Sequence, residues 1–192
     1  MKHLFLSCLR HPGALLVFVV LLAAGCQKND DLRPNVIPPA TEFGRNAIGC
    51  LLNGQMWGVD AGNASSANSS VKAWYTPGAA LDVEAKHEGG VYGDSQLQLH
   101  LDAPSLRPGT YDLDQGIRLK FEDYESEFGD EYAAGGTIGD GTVTITKVQP
   151  VAANGSSPAY TIVAGTFSFT AVSPITGASA HLTDGRFDVK AY

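Results

Sequence analysis

Six carboxylates and four aromatic rings crowd into Phe121-Glu-Asp-Tyr-Glu-Ser-Glu-Phe-Gly-Asp-Glu-Tyr132, the densest chemistry in the chain. Carboxylates held about 5–9.5 Å apart can serve as the acid and nucleophile, or acid and base, of a glycoside hydrolase. The same oxygens, from Glu122, Asp123, Glu125, Glu127, Asp130 and Glu131, could instead ligate Ca²⁺, although their spacing does not follow the calcium-loop pattern. The plain alternative is a solvated acidic hairpin. Phe121, Tyr124, Phe128 and Tyr132 also recur near helical spacing, so a short helical turn is a further option. Asp112-Leu-Asp-Gln-Gly116 is a second, weaker calcium-like run.

Trp74 is the better candidate for ligand contact. In Val71-Lys-Ala-Trp-Tyr-Thr76, alternation places Trp74 with Lys72 and Thr76, opposite Val71, Ala73 and Tyr75. An indole on a polar face can stack on a sugar ring or on a partner's apolar patch. The histidines of the folded part, His87, His100 and His181, stand singly on different segments. A zinc site would need paired ligands such as His-x-His or His-Glu-x-x-His. No metal site is expected of them. Ser179, two residues before His181, lacks the Gly-x-Ser-x-Gly elbow of a nucleophile and reads as a surface strand residue. No cofactor-binding motif is evident.

The elements that must hold these side chains are strands. From Ala47 onward the pattern has period two, with turn residues at short intervals and no convincing long amphipathic helix. Asn53-Gly54 between Ile48–Leu52 and Gln55–Val59 is a two-residue hairpin signal. That register sets Cys50 opposite Trp57 and Ile48 opposite Val59, on one core face with Leu52. A second hairpin is expected for Val71–Thr76 and Leu81–His87 around Pro77-Gly78. Gln96–Leu101 alternates cleanly, Leu106–Tyr111 is a turn feeding a short strand, and Ile117–Glu125 with Glu131–Ala134 form the arms of the acidic hairpin. Thr142–Thr146 and Tyr160–Val172 follow, then Ala180–Thr183 and Arg186–Tyr192 joined through Asp184-Gly185. About ten strands with short connections predict an all-β fold, an antiparallel β-sandwich or a flattened barrel.

The amino terminus is an address. Lys2 and Arg10 precede the apolar run Ala14–Ala24, too short for the ~20 residues of a spanning helix, so residues 1–25 read as a signal peptide. Leu22-Ala-Ala-Gly-Cys26 resembles the bacterial lipobox, with Cys26 the lipidated residue of the mature chain. Two or more acyl chains there make a lasting anchor. Gln27-Lys-Asn-Asp-Asp31 resembles the export signal of surface lipoproteins in the Bacteroidota, and the expected location is the outer membrane, facing the medium. Residues 26–44 read as a Pro-rich tether and 45–192 as a single β domain, roughly 150 residues and large enough for its own core.

The chain carries a formal charge of −7, and loss of Lys2 and Arg10 makes the mature form more acidic still. An acidic surface without Lys/Arg clusters argues against nucleic acid as a partner. With Cys8 removed and Cys26 acylated, Cys50 has no partner for an intrachain disulfide. Phe43-Gly44, Gly49–Gly54 with Trp57, Pro108–Tyr111, Gly141–Lys147, Gly165–Ala171 and Thr183–Val189 together resemble a family of Bacteroidota surface lipoproteins built on a domain of unknown function. The resemblance implies an all-β surface lipoprotein and supplies no catalytic residue. The leading expectation is a binding or interaction module for a glycan or an envelope partner, with a carboxylate-based hydrolase acting through residues 122–131 and a purely structural envelope protein as alternatives.

Overall fold

The computed structural model describes residues 37–61, 70–89, 93–113, 116–124 and 130–192. Cys26, the signal segment and Glu125 and Glu127 lie outside them. The period-two pattern becomes eleven strands: β1 (Ala47–Leu52), β2 (Gln55–Asp60), β3 (Ser70–Thr76), β4 (Ala80–His87), β5 (Ser95–Asp102), β6 (Gly109–Asp112), β7 (Ile117–Asp123), β8 (Asp130–Gly135), β9 (Asp140–Val151), β10 (Tyr160–Val172) and β11 (Ser179–Ala191). They form one antiparallel sheet in the order β2-β1-β11-β10-β8-β7-β5-β4-β3, with β9 added to β10 and β6 to β9.

The sheet curls into a nearly closed barrel, which decides between the two architectures the sequence left open. Closure depends on strands that share their edges. β11 pairs with β1 from Leu182 to Asp188. Beyond that point Tyr192 donates its backbone N–H to Ala73 and accepts one from Tyr75, each at 3.2 Å, which ties β11 to β3. Likewise β10 pairs with β9 over most of its length and meets β8 at Val172. Tying the sheet back on itself covers strand edges that would otherwise template aggregation, and leaves β2 and β6 paired on one side.

The first hairpin has the expected register, with Cys50 opposite Trp57, Ile48 opposite Val59 and Leu52 opposite Gln55. Asn53 and Gly54 both adopt positive φ, 50° and 80°, as a type I′ turn demands. Trp57 is buried, donates its indole N–H to Ser95 Oγ at 2.8 Å and meets Phe121 edge-on at 5.8 Å. Burial pushes the Cys50 thiol up to about 12.

Asp184-Gly185 does not separate two strands, as its turn chemistry suggests; β11 runs straight through it. Phe167 pairs with Gly185 and Phe169 with Leu182, so Ser168 faces two residues, and Asp184 takes up the extra length at φ 53°. This is a bulge, and dipeptides that tolerate positive φ serve bulges as well as turns. Two reciprocal pairs lock the register beside it, Gly165 opposite Phe187 and Phe167 opposite Gly185. A Cβ on Gly165 would lie 2.9 Å from the Phe187 ring and crowd the Thr144 carbonyl. Each aromatic ring therefore occupies the space its glycine partner leaves.

The last residues of the stretch read as a tether, Thr41 to Gly44, are docked on the barrel. Asp188, which is buried, accepts hydrogen bonds from Thr41 Oγ1 (2.7 Å) and from the backbone N–H of Phe43 (3.0 Å), Gly44 (2.7 Å) and Arg45 (3.2 Å). Arg45 in turn pairs with Asp60 at 2.7 Å.

Candidate functional site

The outer face of β3-β4-β5-β7-β8 gathers most of the side chains with chemistry. Along β3, Val71 and Ala73 point into the core while Lys72, Trp74 and Thr76 point out. Trp74 is 45% exposed. Register then carries a row across the sheet, from Trp74 to Asp82, from Asp82 to His100 and from His100 to Arg118. On the other side of Trp74, the β3–β11 seam places Tyr192 beside it. Tyr192 is 57% exposed, and its ring lies 5.9 Å from that of Tyr160. Sequence reasoning found Trp74 and missed Tyr192, which only the β3–β11 seam brings beside it, and Tyr160, which the β10–β11 register sets next to Tyr192.

His100 is not solitary. Its Nδ1 lies 2.6 Å from Asp82 Oδ1 and its Nε2 2.9 Å from Asp102 Oδ1, while Arg118 reaches Asp102 at 3.3 Å. Two carboxylate acceptors require two ring N–H donors, which is the imidazolium form. Partial burial works to lower the His100 pKa, but the hydrogen bonds and charges of Asp82 and Asp102 outweigh it and raise the group above its ordinary value. Asp102 is lowered, first by its hydrogen bond from His100 and further by the nearby charges of His100 and Arg118. With both ring nitrogens engaged by carboxylates, His100 orients those acceptors and has no ring nitrogen left to act as a base.

The sign of the pH effect follows from these directions. A raised His100 stabilises the fold fully below the ordinary imidazole value of 6.5, and that contribution disappears as pH rises through the raised value. A lowered Asp102 contributes fully above the ordinary 3.8, and its share disappears as pH falls through the lowered value. The network is therefore strongest between those two ordinary values. Denaturant midpoints measured against pH should fall on the alkaline side of this window in the wild type and flatten there in His100→Gln. An unchanged profile in the variant would contradict the network.

The described carboxylates of the acidic run divide between β7 and β8. Glu122 pairs with Glu131 and Asp123 with Asp130 across β7 and β8. Lys120 stands between the first pair, 2.8 Å from Glu122 and 2.9 Å from Glu131. Burial works to raise the Glu122 pKa, yet hydrogen bonds from Lys120 and Tyr124 outweigh it and leave the carboxyl below its ordinary value. A general acid needs the opposite shift. Among the described residues no group of three or more His, Cys, Asp or Glu side chains is placed to hold a metal ion. Asp112 pairs with Thr142 at the end of β6. Ser179 and His181 share an exposed face of β11, where Thr170 Oγ1 lies 3.3 Å from His181 Nδ1. No helix among the described residues is long and apolar enough to cross a membrane.

Comparison with curated proteins and with solved structures gives no match to either. Residues 53–189, from the first hairpin turn to the end of the β11 core, match a family model described as a domain of unknown function, DUF6252, and the chain belongs to that family.

Proposed function

We propose that the protein is a surface lipoprotein, anchored through Cys26, whose barrel is a carbohydrate-binding module. The observation that carries the reading is an exposed indole at the head of a polar row. Trp74 stands on the outer face in line with Asp82, His100 and Arg118, with Gln98 and Glu84 in the adjoining row. Sugar rings offer an apolar C–H face and a rim of hydroxyls, which suit an aromatic platform beside fixed planar acceptors and donors. A contact surface built this way needs no catalytic group.

Binding of the full chain to a glycan array tests the module. Trp74→Ala should weaken binding about tenfold or more, since aromatic anchors dominate recognition. Its stability should change by less than ~0.5 kcal/mol, because the side chain is exposed. A large stability loss in this variant, or unchanged binding, would remove the reading.

The anchor is tested separately in bacterial cells. Wild-type protein should partition with membranes, incorporate labelled palmitate and be cut by external protease, while Cys26→Ala should fail to label and leave the membrane fraction. Labelling with protection from protease would keep the anchor and place the domain inside the envelope.

A further inference from the structure

A groove of about 690 Å³ opens on the same outer face where β5, β7 and β8 lie side by side. It exists because β8 presents Ala133 beside Lys120 and Gly135 beside Arg118, so that nothing larger than a methyl group fills the strand there. Leu113 and Ile138 add apolar wall. The size and the mixture are those of ligand sites.

The charge of the lining is the opposite of the charge of the chain. The protein has 20 acidic and 13 basic residues, yet His100, Arg118 and Lys120 line the groove and, among the described residues, no carboxylate does. Asp82, Asp102, Glu122 and Glu131 pair with these cations from positions outside the lining. Arg118 is the least committed of the three. Its side chain is 69% exposed, and its ion pair with Asp102 is a single contact at 3.3 Å. A guanidinium has five donors in a planar fork that fits a carboxylate in bidentate fashion, so the single contact to Asp102 leaves most of that capacity unspent.

Arg118 and Trp74 are three strands apart in one register row, roughly 14 Å at the usual interstrand spacing. One sugar ring cannot reach both. Resting on the carbohydrate reading, we propose that the groove receives the carboxylate of an acidic sugar residue, within a glycan long enough to stack on Trp74 as well. The Arg118 fork takes the carboxylate, His100 and Lys120 flank it, and the exposed Ile138 packs against the C–H face of the ring.

Calorimetry on the full chain with a panel of oligouronates, built from galacturonate, glucuronate or mannuronate, tests this against the methyl esters of the same oligomers and a glutamate oligopeptide. At least one oligouronate should bind, its ester should bind about tenfold more weakly, and affinity should fall with added salt. Arg118→Gln should abolish most of the difference between acid and ester, whereas Trp74→Ala should weaken both. Since Arg118 is exposed, its variant should keep the wild-type circular dichroism and melting temperature. Equal binding of acid and ester would overturn the acidic-sugar assignment and leave the carbohydrate module standing. Failure of every oligouronate while neutral glycans bind would do the same, and failure of all saccharides would overturn both. Binding of the glutamate peptide as tight as that of any oligouronate, insensitive to Trp74→Ala, would transfer the groove to acidic peptides.

Discussion

Trp57→Ala is expected to lower unfolding free energy by ~3–5 kcal/mol, the range for a large aromatic removed from a core that cannot collapse. The indole is 1% exposed, edge-on to Phe121, and donates to Ser95 Oγ inside the barrel. Truncation deletes the packing and leaves the buried Ser95 hydroxyl without that donor. Against the 5–15 kcal/mol typical of a folded domain, the loss is a large share of the total. Cys50 provides a second readout, because it lies directly across the hairpin from Trp57. In the wild type a desolvated thiol with its pKa near 12 should react slowly with a thiol reagent. In Trp57→Ala the rate should rise, as the cavity admits water and the fold opens more often. A loss below ~1 kcal/mol by urea titration, or fast labelling of the wild type, would show that this side of the barrel is not the packed core described.

Asp188→Ala should cost ~2–4 kcal/mol, through a different mechanism. One carboxylate collects four hydrogen bonds from residues 41–45, and the Gly44 N–H among them is buried. Removing the acceptor leaves that donor unsatisfied at ~1–3 kcal/mol, while the partly exposed donors can turn to water. Asp188→Asn should recover little of this. Oδ2 serves Thr41, Phe43 and Arg45 while Oδ1 serves Gly44, so an amide nitrogen at either position would set a donor against donors. Hydrogen exchange supplies the local test, since amides of residues 43–45 should lose protection in both variants before the barrel strands do. Unchanged protection there would mean that the docked segment is held by something other than Asp188.

The second effect bears on one strand that serves two ends of the fold. The docked segment connects the barrel to the part of the chain that carries Cys26, and it is fixed on β11, the strand that also delivers Tyr192 beside Trp74.

Where the signal was local, the sequence was sufficient. Asn53-Gly54 determined the first hairpin, its register and the burial of Cys50 and Trp57, because a two-residue loop leaves no freedom to slip. Alternation around Trp74 likewise determined which side of β3 the indole takes, whereas His100, solitary in the sequence, gained both its carboxylate partners only in the structure. Asp184-Gly185 shows the limit: a residue pair that tolerates positive φ specifies a sharp local change, but whether the chain reverses or only bulges depends on what pairs alongside. Asp82 reached His100 through the β4–β5 register, which a loop of several residues does not set. Tyr192 reached Trp74 only when the barrel closed, and the groove formed because the β7–β8 register, set across a loop of several residues, puts Arg118 and Lys120 against Gly135 and Ala133. By itself the sequence determined strands, faces and the tightest turn, since these are properties of neighbours along the chain. The tertiary structure decided the barrel, the His100 network, the Asp188 clamp and the groove, since each depends on strand pairing that no two-residue turn fixes.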